Sequence, residues 1–164
     1  MQKSFCKIKN IGTGFFCNIP FPDNSNSLPV FITNNHVLGE NDIAKDNIIS
    51  VSINDDEYKY NIHITNSTRT YTDPDYDISI IEIVKKEELD KVSFLEIEDN
   101  ILYIKQYDQY KDKSVYVLHY PNCKNVAFSV GIIKNISIDD YNILHLCGTL
   151  KGSSGGPNIK FRYP

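Results

Sequence analysis

Apolar and polar residues alternate with a period of two over most of the chain, in runs of seven to fourteen residues broken by turn formers. The runs read "SFCKIKN", "GTGFFCNI", "LPVFITN", "NIISVSI", "YKYNIHIT", "DISIIEIV", "KSVYVLHY", "NVAFSVGIIKNISI" and "NILHLCG". They are rich in β-branched and aromatic residues, which fit a pleated, half-buried surface. Between them stand "PDNSNS", "NDD", "TDPDYD", "YPNCKN" and "IDDYN", whose Pro, Asn, Asp and Ser favour turns. Many short strands at this spacing predict an all-β barrel or sandwich rather than alternating βα units. Only "NNHVLG" and "VKKEELDKVSF" look helical, each long enough for a turn or a short 3₁₀ segment. The second, with the polar "IKQYDQYKDK" after it, marks a connection near residues 86–112 between a first β half (about 1–85) and a second (about 113–164).

Composition narrows the classes. At 164 residues and 41% hydrophobic, the chain has the length and apolar content for one folded domain. A formal charge of −4, with basic residues at most paired as in Lys85-Lys86, argues against nucleic-acid binding, because phosphate contacts need clustered Lys and Arg. No apolar run reaches membrane-span length, and "MQKSFCKIKN" is too polar for a secretory leader, so the expectation is a cytoplasmic protein without a membrane partner. The four cysteines, Cys6, Cys17, Cys123 and Cys147, are then expected to be reduced, with Cys6 and Cys17 acting as small buried hydrophobes. His119, Cys123, His145 and Cys147 are poorly spaced for zinc ligands, so neither a metal nor a cofactor is expected.

The chemistry-bearing stretch is "GSSGGP", residues 152–157. Glycines at 152, 155 and 156 permit backbone geometries that turn successive N–H groups toward one point, where an oxyanion could be held. In that arrangement Ser154 is the nucleophile, and the N–H groups of Gly152 and Ser154 form the hole. A serine hydroxyl needs a base. Of four histidines, His63, His119 and His145 lie inside strand-like runs, whereas His36 follows one, where a loop begins. The imidazole in turn needs an acceptor. Asp77 stands at the mouth of the apolar run "ISIIEIV", where burying a carboxylate requires a partner, while Asp73 and Asp75 belong to the turn "TDPDY".

"FITNNHVL", "DYDISIIEI" and "KGSSGGP", in that order, resemble the chymotrypsin-fold serine peptidases, and most closely their intracellular, disulfide-poor trypsin-like domains. Thr33–Val37 match T-x-x-H-V, Asp77–Ile81 match D-h-x-h-h, and Gly152–Pro157 match G-x-S-G-G-P, with the His, Asp, Ser chain order of that family. "IGTGFF" is similar to the family's early glycine-containing strand pair. The resemblance implies two antiparallel six-stranded-type β-barrels and a serine endopeptidase acting on protein or peptide substrates. His36, Asp77 and Ser154 would form the triad. Gly148, Thr149 and Leu150 would line the substrate pocket, and Gly148, six residues before the serine, gives no acidic base for a basic side chain. Family members continue for at least two strands after the serine motif, whereas "NIKFRYP" is all that follows here, so the second barrel is expected to lack its last strands. Either the chain is a fragment or truncated reading frame, or a partner or second copy supplies the missing strands. The alternative is an inactive peptidase fold serving as a protein-interaction module.

Overall fold

The computed structural model describes residues 3–23, 25–97, 107–137 and 142–159. Residues 98–106 of the connection expected near 86–112, most of the turn "IDDYN" and the tail after residue 159 lie outside the described residues.

Seven strands and one short addition form the first sheet: β1 (Phe5–Ile8), β2 (Gly12–Pro20), β3 (Ser27–Thr33), β4 (Ile48–Ile53), β5 (Tyr58–His63), β6 (Thr70–Asp73), β7 (Ile78–Glu82) and β8 (Leu95–Glu96). Their order is β5-β4-β1-β2-β3-β7-β6, antiparallel throughout, with β8 added parallel to β2. Every adjacent pair on this path except β1–β4 and β3–β7 is a sequence-consecutive hairpin, the connection short-range turn chemistry favours. The β4–β5 turn shows why: Asn54, Asp55 and Asp56 all take positive φ (53°, 54° and 71°), a region Asn and Asp tolerate.

Long β2 curls the sheet. Its first half, Gly12–Phe15, pairs with β1, while Cys17 and Asn18 pair with β8 on that same edge. The concave face collects Cys6, Ile8, Phe16, Phe31, Val51, Ile53, Ile62 and Ile81 into the main core. Phe16 contacts Phe31 and Phe94 at ring-centroid distances of 5.2 and 5.8 Å.

The second sheet comprises β9 (Ser114–His119), β10 (Ala127–Ser137), β11 (Asn142–His145) and β12 (Asn158–Ile159), ordered β11-β10-β9-β12. Its core cluster is small: Tyr110, Val115 and Ile133, with Ile136 and Cys147 against them. On the opposite face Phe128 and Val130, two residues apart on β10, are exposed, and so are Leu144, Leu146 and Leu150. The protein is thus all-β, with a curled first sheet and a second barrel left incomplete among the described residues. Among the described residues, three 3₁₀ turns, Lys86–Glu88, Tyr107–Tyr110 and Pro121–Cys123, supply the helical content.

Side-chain contacts join the halves. The Phe5 and Tyr120 rings pack at 5.6 Å, and Asp55 Oδ1, from the β4–β5 turn, accepts a 2.6 Å bond from the Val126 N–H. All four cysteines are free, with Cys6 and Cys17 buried.

Candidate active site

His36 and Asp77 meet because each lies just beyond the end of one of two paired strands. Thr33 of β3 faces Ser79 of β7, so the loop leaving β3 and the residue entering β7 emerge side by side. His36 Nδ1 lies 2.7 Å from Asp77 Oδ2, and the His36 N–H donates to Asp77 Oδ1 at 2.9 Å. A clasp around this pair fixes both segments. Asn34 Nδ2 donates to the Asp77 carbonyl at 2.8 Å, and Asn35 Nδ2 to Thr72 Oγ1 at 2.6 Å. Ser79 Oγ, fully buried, donates to the Leu38 carbonyl at 2.6 Å. Asp77 itself holds φ 49°, an uncommon conformation for a non-glycine residue and one often found at functional positions. The carboxylate is not sealed from water: the His36 and Asp77 side chains are 57% and 42% exposed.

The serine turn is held by the first half of the molecule. Thr13, on β2 and fully buried, makes four hydrogen bonds. Its N–H donates to the Ser154 carbonyl at 2.8 Å, and its hydroxyl donates to the Gly152 carbonyl at 2.9 Å. The same hydroxyl accepts from the Tyr120 N–H at 3.1 Å, and the Thr13 carbonyl accepts from Thr33 Oγ1 at 2.8 Å. Gly152 and Gly155 adopt φ of +87° and +85°, open to glycine and strained for other residues. At Gly155 a Cβ would lie 1.9 Å from the Thr13 carbonyl oxygen, so the close approach to β2 also requires glycine. Gly12 fills the remaining gap. A Cβ there would lie 2.9 Å from both Val37 methyls and 3.2 Å from the Ser154 carbonyl, so the residue after His36 and the serine turn abut across it.

The two adjacent serines face opposite ways. Ser153 is buried, while Ser154 is partly exposed. Among the described residues Ser154 Oγ makes no hydrogen bond, His36 included; such bonds in unliganded sites are often long and tighten with substrate. Among the same residues the N–H groups of Gly152 and Ser154 are given to no backbone acceptor, whereas those of Ser153 and Gly156 close the turn onto the Leu150 and Ser153 carbonyls. Gly148, Thr149 and Leu150 are all exposed on the segment leading into the turn, Leu150 at 62%.

Of the other histidines, His63 sits on the exposed face of β5 and His145 Nδ1 accepts from the Cys147 N–H at 3.2 Å. His119 is buried against Ser153. Sequence reasoning missed Thr13 and the Asn34–Asn35 pair. Thr13 carried a signal, being a polar residue between two glycines in "GTG" within an otherwise apolar strand, and Ser79 carried the same signal inside "DISIIEIV".

The architecture defines the chymotrypsin-like class, and comparison with known proteins agrees. Residues 12–162 match the trypsin-like peptidase domain, and the chain belongs to that family. No curated protein gives a significant match. Among solved structures, the fold is similar to the inactive form of the Rv3671c protease, at TM-score 0.60 and 20% identity over 97% of this chain and 73% of that one. That protease is from M. tuberculosis. The fold is also similar to Deg5, at TM-score 0.63 and 18% identity over 98% and 75% of the two chains. A serine endoprotease from Yersinia pestis aligns at TM-score 0.65 and 14% identity, with 97% of this chain covering 50% of that one.

Proposed function

We propose that this domain is a serine endopeptidase hydrolysing peptide bonds in protein or peptide substrates, with His36, Asp77 and Ser154 as its triad. The observation that carries this reading is the convergence at the Gly12–Thr13 junction, where the strand that binds the serine turn also abuts the loop bearing the His36–Asp77 pair. In the reaction, Ser154 Oγ attacks the acyl carbon as its proton passes to His36 Nε2. Asp77 holds the Nδ1–H tautomer and stabilises the imidazolium. The Gly152 and Ser154 N–H groups receive the developing oxyanion. The imidazolium then protonates the leaving amine, and water, deprotonated by His36, releases the acyl group and regenerates Ser154. Gly148, with no side chain, leaves the pocket entrance without an acidic anchor, which favours uncharged side chains over basic ones.

A fluorophosphonate probe tests this. Wild-type protein is expected to label at one site, Ser154→Ala to lose the label entirely, and Asp77→Asn to label on the order of 10³–10⁴-fold more slowly. A folded wild type that does not label, or an equally labelled Ser154→Ala variant, rejects the reading.

One observation favours a second reading, that of an interaction module. Phe128, Val130, Leu144, Leu146 and Leu150 are apolar side chains left exposed on and after the second sheet, of the kind that a partner or second copy covers. Under that reading Ser154→Ala would leave partner binding unchanged and no label would form on the wild type.

A further inference from the structure

The residue before the proposed nucleophile points away from the site and ends on a histidine. Ser153 Oγ lies 2.5 Å from His119 Nδ1 and accepts a 3.1 Å bond from the Leu150 N–H. Both side chains are buried, Ser153 at 7% and His119 at 4% exposure. With one lone pair of Oγ taken by Leu150, the hydroxyl has its proton to give, and Nδ1 of a neutral imidazole is the acceptor it meets. Burial holds His119 below the ordinary histidine pKa, which favours that neutral form.

His119 is itself well fixed. It is the last residue of β9, paired with Ala127 of β10, while two residues earlier Val117 pairs with Asn158 of β12. Around it the turn is tightly packed: a Cβ at Gly156 would lie 3.3 Å from His119 Cβ and 2.4 Å from the Leu118 carbonyl oxygen. The Leu118 N–H also donates to the Pro157 carbonyl at 3.3 Å. Thr13 therefore holds the turn from the first sheet, gripping the Gly152 carbonyl with its hydroxyl and the Ser154 carbonyl with its N–H. His119 holds it from the second sheet by a side chain, at the residue between them.

We propose that His119 is a positioning residue for the serine turn, fixing through the Ser153 hydroxyl where the Gly152 and Ser154 N–H groups and Ser154 Oγ point. This rests on the serine-peptidase reading for its catalytic consequence but not for the contact itself. Small displacements of such groups matter, because a misplacement of about 1 Å can cost roughly 100-fold in rate.

The test uses the full chain as wild type and as His119→Asn, His119→Leu, Ser153→Ala and the His119→Leu/Ser153→Ala double variant. Asparagine places its Oδ1 near the site of Nδ1 and keeps an acceptor; leucine keeps bulk alone. Hydrogen exchange of the 151–157 segment, read by mass spectrometry, is expected to accelerate about 3–10-fold in His119→Leu and in Ser153→Ala, the range set by one lost hydrogen bond. The double variant is expected to add nothing to either single, and His119→Asn to stay near wild type. Fluorophosphonate labelling should fall at least about 10-fold in His119→Leu and recover in His119→Asn. Unchanged exchange in both singles, or effects that simply add, overturns the proposal. If His119→Leu does not fold, Ser153→Ala against His119→Asn decides it, because one removes an oxygen and the other preserves the bond. A wild type that exchanges as expected yet never labels would reject the peptidase reading while leaving the positioning contact established.

Discussion

Replacing Thr13 by valine removes one oxygen at the junction of the two halves and keeps the side chain's shape. That oxygen serves two buried partners, the Gly152 carbonyl at 2.9 Å and the Tyr120 N–H at 3.1 Å. Neither gains water in exchange, since Thr13 and Tyr120 are both fully buried. A buried polar group left without its partner costs roughly 1–3 kcal/mol, so two such groups predict a loss of about 2–6 kcal/mol. That is a large share of the roughly 5–15 kcal/mol that holds a domain folded. Thr13→Ser keeps the hydroxyl and loses one methyl, worth about 0.8 kcal/mol. Urea unfolding of the three proteins separates the cases. At a typical slope of about 2 kcal/mol per molar, the valine midpoint should drop by about 1–3 M and the serine midpoint by less than about 0.5 M. The slope itself should not change. A valine variant within about 0.5 kcal/mol of the serine variant would refute the claim that this hydroxyl ties the halves together. Labelling of Ser154 should fall with Thr13→Val below the unfolding range, because the backbone bond from the Thr13 N–H then holds the turn without its neighbour.

Two further outcomes follow from burial and charge. Iodoacetamide at pH 8 should modify Cys123 and Cys147, both partly exposed, well before Cys6 and Cys17, in the folded protein. Burial pushes the Cys17 thiol up to about 12 and Cys6 higher still, leaving on the order of a thousandth of the ordinary thiolate at Cys17; modification of either at the rate of Cys123 would contradict that. Asp56 is held below the usual carboxylate range by hydrogen bonds from the Lys7 ammonium and the Ser52 hydroxyl, each at 2.5 Å. A carboxyl depressed in the folded state stabilises the protein above the unfolded pKa, near 4, and loses that contribution as pH falls below it. With the Asp56 side chain 45% exposed the effect is about 1 kcal/mol or less, and Asp56→Asn should flatten the acid limb of a stability-against-pH curve between about pH 5 and 2 by that amount.

The all-β class was legible because period-two alternation and turn residues are local properties, and all nine apolar runs contain the core of a strand where expected. The ninth, "NILHLCG", yields a strand only as far as His145, after which Leu146 and Leu150 lie exposed. That His36 and Asp77 come together was legible for a related reason: each stands at the end of an apolar run, and strand ends gather at one edge of a sheet. The degree of exposure of that pair was not legible, because it depends on what covers the loop rather than on the loop. Nor was the contact between Ser153 and His119, which joins the serine turn to a strand 34 positions away. Two-residue β8 also escaped notice, since pairing with Cys17 and Asn18 across 78 positions leaves no periodic trace in so short a segment.

The hydroxyl of Thr13 reaches the Gly152 carbonyl across 139 positions of chain. Contacts of that span form late, after the loop between them has been closed. A molecule whose first sheet has folded but whose halves have not docked would therefore carry His36 beside Asp77 and yet lack an ordered serine turn. Under the proposed triad, bond cleavage would then be a property of the finished fold alone. Partly folded copies, crowded together with their own strands exposed, would be spared from cutting one another.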